Sequence, residues 1–117
     1  FLAMGHGWEA WKTFPHERQK LIDLIDQSSS EKVLFISGDR HRGGLYQLIT
    51  DSQKNITEMT SSSLNLAFTN DEEAGPLRVG PTFVQENYGE IILDKLTNNL
   101  TVNLKDNQGQ IIQSIEL

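Results

Sequence analysis

The C-terminal segment, residues 88–117, constrains the fold of this chain most strongly. Its strand-like runs are "YGEIILDK", "LTVNLK" and "QIIQSIEL", and the turn sequences "TNN" and "DNQG" separate them. In the middle run, Leu100, Val102 and Leu104 alternate with polar residues, which is typical of a half-buried antiparallel strand. Turns this short join antiparallel neighbours. We therefore predict a β-meander over 88–117.

The N-terminal part of the chain predicts a single helix. Residues 1–14 show no regular period and are expected to form an irregular lead-in. Pro15 suits the first turn of a helix, where its missing N–H costs nothing. The apolar residues that follow are spaced to form one stripe, namely Leu21, Leu24 and Ile25. This pattern predicts a helix over 15–27.

Further strands are expected from residue 32 onwards. The run "KVLFIS" at 32–37 has four consecutive apolar residues, so both faces of a strand formed by it would be apolar. This pattern favours a strand that is covered on both faces. The segments 44–50 and 55–61 also read as strands. Residues 65–87 show no period and are predicted to be a long loop. The fold class is therefore α/β, or α+β in isolation, with one N-terminal helix on a mostly antiparallel sheet.

Composition limits the classes of function. The chain has 117 residues, which suits one domain, and a formal net charge of −6. Binding along a nucleic-acid backbone is disfavoured because such proteins need a basic face to neutralise phosphates. There is no cysteine, so disulfides and thiolate metal sites are excluded. No apolar run reaches the length of a membrane-spanning helix, about 20 residues.

A polar cluster follows the strand-like run at 32–37. Gly38 permits a sharp turn, and Asp39, Arg40, His41 and Arg42 come directly after it. In open α/β sheets, the carboxyl end of a strand is where ligands bind. Carboxylate and imidazole groups are metal ligands without sulfur, and the guanidinium fork suits phosphate. These residues are therefore candidates for a metal and phosphate site.

The same cluster also has a purely structural interpretation. An aspartate after a glycine often serves only to form a turn, and a single histidine is more often a hydrogen-bonded surface residue than a ligand. Under this interpretation, the chain is a non-catalytic β-rich interaction module. A metal or phosphate bound near Asp39 and His41 would separate the two interpretations.

Several motifs together resemble a known family. The segments in chain order are "WEAWKTFPHERQKLIDLI", "VLFISGDRH", "EMTSS" and "NYG", spanning residues 8 to 94 with the strand that follows. They resemble the C-terminal part of the PhoD-like alkaline phosphatases and phosphodiesterases, within the calcineurin-like metallophosphoesterases. That resemblance implies a metal-dependent phosphoric-ester hydrolase, with residues 1–117 as about half of a four-layer αββα sandwich.

The resemblance also implies roles for particular residues. Gly38-Asp39-Arg40-His41 is similar to the superfamily's last metal-binding motif, Gly-His-x-His, with Asp39 in place of the first histidine. Asp39 and His41 would then be catalytic metal ligands, and Arg40 and Arg42 would contact phosphate. Asn87 is a secondary candidate that would brace a loop or a ligand. The implied cofactors are divalent or trivalent ions (Fe, Ca, Mn or Zn) in a dinuclear or mixed centre.

The chain lacks the superfamily's other ligand segments, Asp-x-His, Gly-Asp-x-x-Asp and Gly-Asn-His. We therefore expect it to be the C-terminal portion of a longer enzyme and to be inactive by itself. Its partners would be the phosphate-ester substrate and the N-terminal part of the enzyme. An uncovered sheet face would favour self-association. The resemblance suggests an extracytoplasmic location.

Overall fold

The chain forms one α-helix and seven strands among residues 1–68 and 75–117, the part that a computed structural model describes. A short 3-10 turn at Trp11–Thr13 precedes the helix. No helix in these ranges combines the length and the apolar character needed to cross a membrane. The elements in chain order are α1 (Pro15–Gln27), β1 (Lys32–Ser37), β2 (Gly43–Ile49), β3 (Asn55–Thr60), β4 (Arg78–Phe83), β5 (Asn87–Asp94), β6 (Asn99–Asp106) and β7 (Ile111–Glu116).

The strands form two sheets, so the expectation of a single sheet is wrong. One sheet has the order β1-β3-β2-β4, and the other has the order β5-β6-β7. Strands β1 and β3 are parallel, whereas the other strand pairs of the described residues are antiparallel. The mixed α/β class and the C-terminal meander are confirmed. The second sheet forms because both sheets have an apolar face to bury.

The four-stranded sheet lies between two apolar cores. On one face, the lead-in and α1 cover it through Leu2, Ile22 and Ile25, which pack with Tyr46 and Ile56 of the sheet. On the other face, side chains of the meander form a second core with the same sheet, from Leu45, Met59, Val102 and Leu117. Successive strand residues point to opposite faces, so each central strand contributes to both cores.

The helix lies where the sequence predicts it, but the buried stripe differs. Ile22 and Ile25 are buried, while Leu24 is 66% exposed. Residues 18, 21, 22 and 25 share one face of the helix by their spacing. The lead-in packs on this face through Leu2, and that contact sets the rotation of the helix.

Strand β1 contacts both cores, as predicted for 32–37, but is only partly buried: Val33 and Phe35 pack against one core and Leu34 packs against the other. Among the described residues it pairs only with β3, at the edge of its sheet. Ile36 is 65% exposed, and no residue of β1 is fully buried. An apolar run of this kind is typical of a central strand, so the apolar character of β1 exceeds what the described structure buries.

The predicted loop over 65–87 contains strand β4, so that prediction is wrong for 78–83. Residues 69–74 of the predicted loop lie outside the described residues. Gly80 and Pro81 interrupt the strand signal in "RVGPTF". Such residues are tolerated at a sheet edge, where one side of the strand needs no ladder hydrogen bonds. Within the described part of the chain, strand β4 is an edge strand that pairs only with β2, through an irregular register.

Gly43→Ala tests how closely the two sheets approach. A Cβ atom at Gly43 would lie 2.6 Å from Leu104 Cδ1 and 3.0 Å from Asn87 Oδ1. Because Leu104 is fully buried, we expect overpacking to lower the free energy of unfolding by about 1–3 kcal/mol. Urea denaturation would measure it. Gly7→Ala is the control, since nothing lies within 4 Å of its Cβ; equal effects would contradict the close approach.

Candidate functional site

The candidate site lies at the carboxyl ends of the parallel strands β1 and β3. Ser37 and Thr60 pair across these ends, with their hydroxyl oxygens 2.8 Å apart. Ser61 N–H then donates to Ser37 C=O at 3.0 Å. Parallel neighbours end at the same edge of a sheet, so the strand-end turn (residues 38–42) and the exit loop of β3 (residues 61–68) leave side by side. Ligands commonly bind at such an edge.

The strand-end turn has an unusual backbone. Asp39 has φ 64° and His41 has φ 53°, in the left-handed region that residues other than glycine rarely occupy. Such conformations persist only where the surroundings hold them, and they are frequent at functional sites. Here the backbone N–H of His41 donates to Ser62 Oγ at 3.2 Å. The exit loop of β3 therefore helps to hold the turn.

The imidazole of His41 is held from two sides. Its Nδ1 lies 2.5 Å from the carbonyl oxygen of Leu66, and its ring stacks on Phe68 with centroids 4.2 Å apart and planes 7° apart. Phe68 N–H also donates to His41 C=O at 2.8 Å. A carbonyl can only accept, so Nδ1 carries a proton. In the neutral ring, the lone pair is then on Nε2, the arrangement found for metal-binding histidines.

The charged neighbours of His41 differ in accessibility. Asp39 is exposed. Arg40 is half-buried and donates from Nη1 to Tyr46 Oη at 3.1 Å. Arg42 is only 5% exposed, and its Nη1 lies 3.4 Å from Thr82 Oγ1. Asp39 is thus the most accessible candidate, and His41 and Arg40 are both half-buried. Arg42 is buried and connects the strand-end turn to Thr82 of β4.

Asn87 joins the site through Ser62. The Asn87 side chain is 1% exposed. Its Oδ1 accepts from Ser62 N–H at 2.9 Å, and its Nδ2 donates to Ser62 C=O at 2.7 Å and to Gln85 C=O at 2.8 Å. Since Ser62 Oγ accepts from His41 N–H, Asn87 positions the residue that holds the strand-end turn. Asn87 therefore holds the exit loop of β3 through both backbone groups of Ser62.

Glu58 lies on the face of β3 that the helix and lead-in cover, and is buried. Its carboxylate accepts from the backbone nitrogen of Phe1 at 2.8 Å and from the N–H of Leu2. Arg18 packs over the ring of Phe1 and donates to its carbonyl oxygen. Burial lowers the pKa of Arg18, and the nearby charge of Glu58 opposes that shift. Glu58 therefore anchors the lead-in to the sheet.

Sequence reasoning did not find the partners of His41 in the exit loop of β3. Leu66 acts through a backbone carbonyl, which leaves no signature in a side-chain pattern. Phe68 belongs to the apolar run "LNLAF", which stands out inside a predicted loop and is the one available signal. The lead-in also exposes three aromatic side chains: Trp8, Trp11 and Phe14 are 72%, 42% and 61% exposed.

A complete metal site is not formed by the described residues. Within 1–68 and 75–117, no three histidine, aspartate or glutamate side chains gather where they could hold an ion. Asp39 and His41 fit a metal site as two contributors, by donor chemistry and by the protonation of His41 Nδ1.

The chain matches no protein-family model, no curated protein and no solved structure. Three of the four segments singled out in the sequence lie close together in the structure. A Cβ at Gly38 would lie 3.6 Å from Ser61 O, and one at Gly89 would lie 3.4 Å from Ser61 Cβ. With the bond between Asn87 and Ser62, "GDRH", "EMTSS" and "NYG" come together at one end of the sheets.

Proposed function

We propose that this chain is the C-terminal part of a metal-dependent phosphoric-ester hydrolase of the PhoD-like kind. The observation that carries the proposal is the binding of His41 Nδ1 by the Leu66 carbonyl. This contact fixes the ring and leaves Nε2 for a ligand. The exposed Asp39 lies two residues before His41 in the same turn, at the carboxyl ends of parallel strands. Further support comes from the meeting of separate motifs at that end.

In the proposed enzyme, the residues of the candidate site bind metal, contact phosphate or position another residue. Asp39 and His41 Nε2 would hold a metal ion of the Fe, Ca, Mn or Zn type, which would supply polarisation of the phosphoryl group and activation of water. Arg40, which retains exposed surface, contacts the phosphate. Arg42 reaches phosphate only if its buried side chain moves away from Thr82. Asn87 positions Ser62 and, through it, His41.

The remaining ligands come from an N-terminal part of the enzyme under this proposal. The helix and two sheets then correspond to half of a four-layer αββα sandwich. The edge strand β1, with Ile36 exposed, is a surface that such a partner would cover. The chain alone binds metal weakly and turns over little substrate, and the complete enzyme acts outside the cytoplasm.

Titration of the ¹⁵N-labelled chain with Mn²⁺ tests the proposal. Paramagnetic broadening of amide signals reports even millimolar affinities. We expect the signals of residues 38–42 to broaden first, and His41→Ala to weaken binding about tenfold or more. His16→Ala is the control, because His16 is exposed on the first turn of α1. If the His41→Ala variant showed the same broadening as the unmodified chain, His41 would be excluded as a ligand and the proposal would be overturned.

The second candidate function is a non-catalytic interaction module. Strand β5 supports it, since β5 is an edge strand whose Ile91, Ile92 and Leu93 are 41%, 48% and 53% exposed. Edge strands with apolar side chains are available for pairing with another chain. This function would stand if Mn²⁺ and phosphate both fail to bind near His41.

A further inference from the structure

The exit loop of β3 presents an apolar patch to solvent. Leu64, Leu66 and Phe68, here called the loop patch, are 73%, 59% and 44% exposed. Transferring leucine and phenylalanine side chains out of water lowers the free energy. Three of them within five residues of an ordered loop, next to a candidate site, therefore mark a surface suited to an apolar ligand group.

The loop patch is fixed to the candidate site. Phe68 stacks on the His41 ring, and the Leu66 carbonyl binds His41 Nδ1. Leu66 N–H also donates to Ser63 Oγ at 2.7 Å. Ser63 C=O in turn accepts from Asn87 N–H at 3.0 Å. The patch thus begins at the imidazole itself, so a phosphoric ester held at His41 would have its alcohol group within reach of these side chains.

We propose that the loop patch binds the alcohol part of the substrate and selects phosphoric esters whose alcohol group is apolar. This inference rests on the proposed function, because it needs the phosphoryl group to lie at Asp39 and His41. Polar groups that fix a ligand beside apolar side chains that bury it are the common composition of small-molecule sites. Here Asp39, Arg40 and His41 supply the polar part, and the loop patch supplies the apolar part.

Binding of phosphonates to the ¹⁵N-labelled chain in the presence of Mn²⁺ tests the inference. Phosphonates resist hydrolysis, so binding is measured without turnover. Methylphosphonate reports the phosphoryl site alone, whereas octylphosphonate and phenylphosphonate add an apolar group. We expect both to bind about tenfold more tightly than methylphosphonate, and Leu64→Ser to remove most of that gain. Leu96→Ser is the matched control, because Leu96 is 97% exposed in the turn between β5 and β6.

The outcomes separate the two proposals. If all three phosphonates bind equally, or if Leu64→Ser and Leu96→Ser act alike, the inference about the loop patch is overturned while the phosphoryl site stands. If methylphosphonate does not bind near His41 at all, the proposed function fails and the loop patch loses its role with it. Both proposals are supported if the apolar phosphonates bind more tightly than methylphosphonate and Leu64→Ser, but not Leu96→Ser, removes that gain in affinity.

Discussion

Asn87→Ala is expected to lower the free energy of unfolding by about 2–4 kcal/mol, since it leaves buried polar groups without partners. The Asn87 side chain bonds both backbone groups of Ser62 and the carbonyl of Gln85. Because Ser62 Oγ accepts from His41 N–H, the change is also expected to shift the His41 amide signal. Urea denaturation and ¹⁵N spectra measure the two effects.

The control for this prediction is Asn107→Ala, in the exposed turn between β6 and β7. Substitutions at such positions usually change the free energy of unfolding by less than about 0.5 kcal/mol. A loss of stability at Asn87 with the His41 amide unmoved would show that Asn87 does not position the strand-end turn. Equal stability of the two variants would show that the bonds to Ser62 contribute little.

Glu58→Ala is expected to lower the free energy of unfolding by about 2–4 kcal/mol, because it leaves two buried backbone donors without their partner. Glu58 is 1% exposed, and its carboxylate accepts from the backbone nitrogens of Phe1 and Leu2. Its loss leaves these donors buried beside Arg18, whose pKa burial already lowers. We therefore expect the lead-in to detach from the sheet, with increased amide hydrogen exchange at Leu2 and Ala3.

Glu9→Ala is the matched control for Glu58→Ala, because Glu9 is exposed in the same lead-in. Chemical denaturation gives the stability of both variants. If Glu58→Ala were folded as stably as Glu9→Ala, with hydrogen exchange at Leu2 unchanged, the buried carboxylate would not be the anchor of the lead-in.

Local patterns in the sequence were sufficient to predict part of this structure. The helix over 15–27 follows from a proline start and apolar spacing, and the meander from alternation interrupted by short turns. Asp39, Arg40, His41 and Arg42 were identified because they directly follow a strand-like run. All of these signals lie within one element and its ends, where spacing and turn chemistry act locally.

Contacts between distant segments decided the rest. Strand β4 forms despite Gly80 and Pro81 because pairing with β2 at a sheet edge tolerates them. The parallel pairing of β1 with β3 brings residues 61–68 beside residues 38–42, and only there does the carbonyl of Leu66 meet His41. The sequence determined which groups are present at the candidate site. Tertiary structure decided which are exposed and which are braced, because burial and backbone hydrogen bonds depend on partners far away in the chain.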